Sequence, residues 1–345
     1  MTILITGASG FIGSFIVEEA LRQGHEVWAA IRPTSSRRYL RDGRIHFLEL
    51  DFSSAEILSR QLREARPLLP GGRWDYVVHA AGATKCLRRE GFFRANTAGT
   101  ENLVWSLVGE GMTPRRFVFL SSLSVFGAVR EKELPYAPIR LTDTPRPNTA
   151  YGQSKLQAEQ FLMHMHQMQR FPVVILRPTG VYGPRERDYM LMAKSIMQHI
   201  DFSVGFRRQD ITFIYVRDVV SAVFLALETP GVEGKAYFLS DGEVYSSRRF
   251  SDLLQQHLGQ RWVLHLKSPL WLLRLICTLS GMLSRWRGVP TTLNMDKYHI
   301  LSQRNWQCDI EPTRRDLGFA PQWPLEKGVR ETVEWYLSES TNKKK

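Results

Sequence analysis

The chain has 345 residues, of which 43% are hydrophobic and 23% charged, and a formal net charge of +12. That length can bury a full core as one large domain or two smaller ones, and the composition is that of a globular chain, not a disordered or fibrous one. The charge suits nucleic acid, an anionic membrane or a phosphorylated ligand without choosing among them; three scattered cysteines (Cys86, Cys277, Cys308) argue against a disulfide framework or a cysteine zinc site and suit a reducing cytoplasm.

The first residues do not read as a secretory signal, because Gly7, Gly10 and Gly13 interrupt them and no basic stretch precedes. "TILIT" predicts a strand, and "FIGSFIVEEALRQGH" a helix ending near Gly24. Further strands are expected at "EVWAAIR", "IHFLELD", "YVVHAAG" and "RFVFLSS", with a helix at "TAGTENLVWSLVGEG". "GQSKLQAEQFLMHMHQMQR" then predicts a long helix leading into the strand "VVILRP". Apolar runs separated by helices indicate parallel strands buried on both faces. The expected fold is therefore α/β: a doubly wound parallel-sheet Rossmann domain over 1–178, with a smaller α/β substrate-binding region over 179–338 interleaved with it. The basic tail, 339–345, is expected to be disordered. No stretch reaches the ~18 uninterrupted apolar residues of a membrane span.

"TGASGFIGS" lies between the first strand and the first helix, the context a dinucleotide-binding glycine motif needs. Gly7 permits the tight turn, Gly10 lets backbone N–H groups approach a pyrophosphate, and Gly13 lets helix and strand pack closely. Ser9, Phe11 and Ile12 share the motif and are assigned to the cofactor with it. A carboxylate at the end of the second strand would favour NAD(H), and an arginine NADP(H). Arg32 stands there, followed by "PTSSRR", while Glu26 is at the other end; NADP(H) is favoured over NAD(H).

"AYGQSK" sets Tyr151 and Lys155 four apart on one helix face. A tyrosine with pKa near ~10 is a poor base at neutral pH, and an ammonium group beside it would lower that value. Such a pair can move a proton at an alcohol oxygen while a nicotinamide exchanges a hydride at the same carbon. Ser121 and Ser122 end the strand "RFVFLSS", and ligands bind at the carboxyl ends of parallel strands.

Together with "HAAG" (79–82), "NTAGT" (96–100), "LRPTGVYGP" (176–184), "FIYVRDVVSA" (213–222) and "DLGFAP", these motifs resemble the extended short-chain dehydrogenase/reductases, the NAD-dependent epimerase/dehydratase family, along essentially the whole chain. The resemblance implies Ser122 as hydrogen-bond partner of the reacting oxygen, Tyr151 as general acid/base, and Lys155 as the residue that binds the nicotinamide ribose and tunes Tyr151. It implies Asp51 and Phe52 at the adenine, Ala80, Ala81 and Gly82 as cofactor-lining backbone, Asn96 beside the cofactor, and Pro178 and Val181 at the nicotinamide end. Thr84, Ser124, Arg185 and Arg187 are candidates for the substrate. Phe126 replaces a tyrosine common in the family, and Arg217 precedes Asp218 where a second acid is frequent; both bear on the substrate. Leu123 and Ser124 stand where a dehydratase usually carries an extra carboxylate. "RPTSSRR" and the C-terminal "W-x-C-D…LGF" pattern resemble branches acting on nucleotide-sugars or sterol-like alcohols. The resemblance implies a homodimer, since members often pair through four helices. A protein of another class, sensing NADP(H) without turnover, would be expected to lose Tyr151 or Lys155.

Three further features lie outside these motifs. His164 and His166 lie two apart on a helix, about 200° around its axis, so they are not expected to share a metal. No nucleic-acid-reading motif accompanies the charge. In 270–286, Trp271, Leu272, Leu275, Ile276, Leu279, Met282, Leu283 and Trp286 share one helix face, and Arg274, Thr278 and Arg285 the other. Most such helices bury the apolar face in the core, which is the expectation here; the alternatives are a lid on an apolar ligand or peripheral contact with an anionic membrane.

Overall fold

In the chain's computed structural model, residues 1–289 and 291–342 are described. Strand β1 (Thr2–Thr6) is buried throughout and passes through the glycine turn into helix α1 (Phe11–Arg22). Strands β2 (Glu26–Ile31) and β3 (His46–Glu49), helix α2 (Ala55–Ala65) and strand β4 (Tyr76–His79) follow. Helix α3 (Arg89–Phe92) continues through a π-helical segment, Phe93–Ala98, into α4 (Gly99–Gly109). The half closes with β5 (Arg116–Leu120), α5 (Ala150–Gln169) and β6 (Val173–Pro178).

Beyond these come β7 (Gly180–Tyr182), α6 (Arg187–Met197), β8 (Ile200–Val204), β9 (Asp210–Ile211), β10 (Phe213–Tyr215) and α7 (Val216–Glu228). Then follow β11 (Lys235–Leu239), β12 (Tyr245–Ser246), α8 (Arg249–His257), β13 (Leu264–Ser268) and α9 (Leu270–Arg287). The last elements are α10 (Met295–Ser302), β14 (Asn305–Trp306), α11 (Glu311–Leu317) and α12 (Leu325–Asn342). Helix α12 thus carries the chain into the expected tail, whose remainder, 343–345, lies outside the described residues.

The main sheet has seven parallel strands in the order β11-β6-β5-β4-β1-β2-β3. The period-two alternation of a strand divides its core between two faces. Ile3 and Ile5 meet Ile16 and Val17 of α1 and Val219 and Val223 of α7, whereas Leu4, Val77 and Phe117 meet Leu58, Leu103 and Leu162. Strand order reverses between β1 and β4, which opens a crevice at the carboxyl ends of the strands. The glycine turn, Ala80–Gly82, Ser121–Ser122 and Pro178 all sit at those ends. The later region does not form a separate core: its β11 edges the main sheet, and Tyr182, Phe213, Tyr215 and Phe250 pack in the same cluster as Ile3 and Ile5.

One expectation is overturned. Segment 270–286 is helical, but its apolar stripe does not enter the core: Trp271 is 68% exposed and Trp286 82%. The opposite edge is buried instead, through Leu273, Cys277 and Ser284. Small polar groups dock this edge: Ser280 Oγ meets Thr291 Oγ1 at 3.0 Å, and Ser284 Oγ donates to the Val289 carbonyl at 2.5 Å. The Arg285 side chain lies outside the described residues.

Candidate active site

At the end of β1, Gly7 adopts φ +67°, in the left-handed region that glycine tolerates. A side chain there would also collide, since a Cβ would stand 2.7 Å from the Ala80 carbonyl and the Ala81 nitrogen. At Gly13 a Cβ would come 2.1 Å from the Gly7 oxygen, so helix and turn touch backbone to backbone. Helix α1 starts at Gly10 with no side-chain cap and no acidic residue in its first turn. Its first N–H groups and the positive end of its dipole are thereby offered to an anion, which fits a dinucleotide pyrophosphate.

A buried hydrogen-bond chain holds this turn against the end of β4. Ala81 N–H donates to Thr6 Oγ1 at 3.1 Å, and Thr6 Oγ1 stands 2.7 Å from His79 Nδ1. His79 Nε2 lies 3.0 Å from Thr100 Oγ1, whose hydroxyl donates to the Asn96 carbonyl at 2.7 Å. Since Thr100 has given its proton to Asn96, His79 must donate from Nε2 and accept the Thr6 proton at Nδ1. Burial, reinforced by the Lys155 charge, pushes the imidazole down to about 3, so it is neutral. Asn96, on the π-helical segment, closes the next loop: its Oδ1 accepts the Ala83 N–H at 2.8 Å, and its Nδ2 donates to Ser154 Oγ at 2.9 Å.

Ser122 caps a short turn after β5, accepting Ser124 N–H at 3.2 Å and donating to Ser124 Oγ at 3.1 Å. Tyr151 and Lys155 lie one turn apart on α5, whose first turn is capped by Thr149 Oγ, 2.9 Å from Gly152 N. Burial pushes the Tyr151 phenol up to about 12, with the Ser122 hydroxyl pulling the other way. Lys155 Nζ donates to the Leu120 carbonyl at 2.8 Å and stands 4.6 Å from the Phe119 ring centroid. Burial brings it down to about 8 against the pull of Glu159. At the phenol burial sets the direction, and the Lys155 ammonium is turned to the Leu120 carbonyl. At Gly82 a Cβ would meet Asn96 Oδ1 at 2.8 Å and Lys155 Nζ at 3.3 Å, so loop, Asn96 and Lys155 converge.

A family model described as the NAD dependent epimerase/dehydratase family matches residues 3–239. The chain belongs to this epimerase/dehydratase family. It is similar to a UDP-glucose 4-epimerase of Vibrio cholerae, 26% identical over 341 residues covering 97% of this chain and 95% of that one. It is also similar to a 3 beta-hydroxysteroid dehydrogenase/Delta 5-->4-isomerase of Mycobacterium tuberculosis, at 25% identity over 97% of this chain and 90% of the other. Among solved structures, a UDP-glucose 4-epimerase of Thermotoga maritima with UDP-glucose superposes with a TM-score of 0.76 at 21% identity, covering 99% of this chain and 100% of that one. Membership in the epimerase/dehydratase family makes the chain an enzyme with an NAD(P) dinucleotide cofactor.

The remaining residues divide into those that face this family's crevice and those that do not. Ser9, Gly10, Phe11, Thr84, Arg185 and Arg187 line a cleft of about 880 Å³, with Tyr39 and Trp335 on its walls. Arg32 is exposed just beyond β2, in a turn closed by its carbonyl and Ser35 N at 2.9 Å. Glu26, at the far end of β2, accepts from Trp28 Nε1 at 3.1 Å. Asp51 is exposed, its carboxyl held low by Ser53, and the Phe52 ring lies 6.0 Å from that of His79. Pro178 ends β6, and Val181 is in β7, paired to β10. Arg185 does not offer a free guanidinium to a substrate: it donates to Ser14 Oγ at 2.9 Å and Glu18 at 2.5 Å, and lies over the Phe15 and Tyr39 rings. An arginine pressed on two rings with a carboxylate at its tip ties the later region to α1.

Several residues of the site escape sequence reasoning. Thr6 and Thr100 show only as hydroxyls flanking known motifs. Asp296 gives no local sign at all, although its carboxylate accepts the N–H groups of Ala150 and Tyr151 from 145 or more positions away. Beside Ala150 a second cavity, of about 700 Å³, is lined by Leu87, Phe92, Cys277 and Met295, and the Phe92 ring is 6.4 Å from that of Tyr151.

Proposed function

We propose that the protein transfers a hydride between NADP(H) and a secondary alcohol or ketone carbon, with Ser122, Tyr151 and Lys155 around the reacting oxygen. The observation that carries this reading is the placement of Tyr151 and Lys155 one turn apart at the head of α5, with Lys155 bonded to the Leu120 carbonyl at the end of β5, two residues before Ser122, and beside Gly82. When bound, the nicotinamide supplies or accepts the hydride. Ser122 positions the substrate oxygen by a hydrogen bond. Tyr151, protonated at neutral pH, gives that oxygen its proton in reduction and recovers it in oxidation. Lys155 contributes positive charge beside the loop of Gly82 and favours the phenolate as it forms. Gly7, Gly10 and Gly13, with Ser9, Phe11 and Ile12, hold the pyrophosphate; Asp51 and Phe52 face the adenine, and Asn96, Ala80, Ala81, Pro178 and Val181 complete the cofactor's walls.

Arg32 supports NADP(H). Arg37 lies over the Phe47 ring and Arg38 pairs with Glu339, whereas Arg32 has no ion-pair partner among the described residues. A free guanidinium at the end of β2 suits a ribose phosphate.

For the substrate we favour a sterol-like, largely apolar alcohol. The cavity beside Ala150 has Leu87, Phe92, Cys277 and Met295 in its walls alongside the charged Arg88, Arg89, Glu90 and Asp296, and Arg185 is not free to bind a diphosphate. The steroid dehydrogenase similar to this chain agrees with that choice. A nucleotide-sugar is the second reading, supported by exposed Arg187 at the start of α6 and by the sugar epimerase relative. Ser124 and Thr84 are the hydroxyls we assign to either substrate. Free cysteines at Cys86, Cys277 and Cys308 suit a cytoplasmic protein. We assign a homodimer to the α4–α5 face, where half-exposed Trp105 meets Phe161 at 5.8 Å; sedimentation velocity of Trp105→Glu checks it.

The deciding experiment follows nicotinamide absorbance with sterol-like alcohols and nucleotide-sugars for the natural chain and Tyr151→Phe. Turnover should fall by about 100-fold or more in the variant while nucleotide binding persists. Unchanged turnover would remove Tyr151 from the reaction, and turnover of nucleotide-sugars alone would replace the sterol reading.

A further inference from the structure

Helix α9 has two unlike edges. Leu273, Cys277 and Ser284 are buried, and Cys277, Gly281 and Ser284 wall the cavity beside Ala150. On the other edge Trp271, Leu275, Leu279, Met282 and Trp286 recur every three or four residues, and all five are exposed. Such a stripe normally packs against something, and among the described residues nothing covers it.

A second apolar surface leads into it. Strands β8 and β13 form a parallel two-stranded ribbon in which Leu266 pairs with Phe202 and Leu264 with Ile200. Asp201 and His265 bond to each other at 3.0 Å, with Asp201 buried, so they occupy the inner side of the ribbon. The alternation sends Phe202, Leu264 and Leu266 outward, and all three are exposed. The ribbon ends at Ser268, whose carbonyl accepts Gly205 N–H at 2.9 Å, and exposed Phe206 follows Gly205. Only Pro269 separates this junction from α9.

The charge around these surfaces has one sign. No Asp or Glu occurs between Asp252 and Asp296, while Arg261, Lys267, Arg274, Arg285 and Arg287 do. Arg261, Lys267, Arg274 and Arg287 are exposed, and none has an ion-pair partner among the described residues. Tryptophans and leucines on one helix edge, rimmed by unpaired cations, are the chemistry of a helix that lies in a lipid headgroup layer. A copy of this chain is a poorer occupant, because a symmetric pairing of this face would bring its cations together.

We propose that α9, together with the outer face of the β8–β13 ribbon, docks the enzyme on an anionic lipid bilayer. The helix lies along the interface without crossing it; no helix of the described residues is long and apolar enough to span. This docking stands apart from the reaction proposed above and is read without substrate.

The test is co-sedimentation of the full chain with vesicles of phosphatidylcholine alone or mixed equally with phosphatidylglycerol, at low and high salt. The chain should pellet with the mixed vesicles, and salt should release part of it. Leu279→Asp and the double variant Trp271→Ser/Trp286→Ser should bind about tenfold more weakly or worse. Arg274→Glu/Arg287→Glu should lose the preference for the anionic lipid. All these positions are exposed, and an unchanged thermal melting curve establishes that each variant folds. Failure to pellet with mixed vesicles at low salt overturns the proposal. So does vesicle binding that survives Leu279→Asp, or an oligomer in sedimentation velocity that Leu279→Asp dissolves without altering vesicle binding.

Discussion

Asp296 sits at the head of the helix that carries Tyr151, its two carboxylate oxygens 3.2 and 3.1 Å from the Ala150 nitrogen. The Tyr151 N–H also reaches it, at 3.4 Å. A negative charge there offsets the positive end of the α5 dipole and partners N–H groups that a helix leaves unpaired. Helix α10 therefore steadies the first turn of α5, which carries Tyr151.

Asp296→Asn is expected to cost about 1 kcal/mol of stability, in the range of a lost cap or helix-end charge. Urea unfolding measures this. Turnover should fall several-fold with nucleotide affinity unchanged, because the glycine turn is untouched; an equal loss of nucleotide affinity would show that Asp296 acts on the whole fold.

Gly13→Ala puts a methyl group 2.1 Å from the Gly7 oxygen, where only backbone could yield. Overpacking of this kind costs about 1–3 kcal/mol. Nucleotide binding, followed by tryptophan fluorescence, should weaken at least tenfold. Gly43→Ala is the control, since nothing lies within 4 Å of its added Cβ.

Arg32→Asp should exchange an attraction for the ribose phosphate for a repulsion, and so reverse a preference for NADP(H) over NAD(H). Titration of both variants with both nucleotides reads the ratio directly. A natural chain that binds NAD(H) more tightly would refute the assignment.

His79 makes stability depend on acid. Its ordinary value is about 6.5, and burial holds it to about 3 in the fold. Between these values the unfolded chain takes up a proton that the folded chain refuses. The contribution is complete above about pH 6.5 and is lost at about 1.4 kcal/mol per pH unit as pH falls toward 3. His79→Gln should be less stable at pH 7 yet lose stability more gradually in acid, as chemical denaturation across this range will show.

The rate should follow Lys155 before Tyr151. Burial brings the Lys155 ammonium down to about 8 and pushes the Tyr151 phenol up to about 12. For ketone reduction, kcat/KM for the nucleotide is expected to be level below about pH 8 and to decline above it as the ammonium discharges. Oxidation, which needs the phenolate, should instead gain from rising pH. Lys155→Arg, charged throughout, should shift the decline in reduction to higher pH.

Much of this enzyme is legible in short spacings. Buried parallel strands read as apolar runs, Gly7, Gly10 and Gly13 announce a turn that backbone must approach, and Tyr151 and Lys155 share a helix face by periodicity alone. Each is a local consequence of backbone geometry. The π-helical segment under Asn96 is not legible, since nothing in "FRANTA" departs from an ordinary helix. The link from Lys155 to Tyr151 is only half legible: spacing puts both on one face, but the Leu120 carbonyl decides where the ammonium points.

Local pattern therefore determines the sheet, the glycine turn and the shared helix face of Tyr151 and Lys155. Folding alone decides that Asp296 caps α5, that Arg185 is taken by Ser14 and Glu18, and that the apolar stripe of α9 faces outward. These contacts join segments more than 100 residues apart. A hydrophobic period states that a helix has an apolar edge; which surface meets that edge depends on how the rest of the chain packs around it.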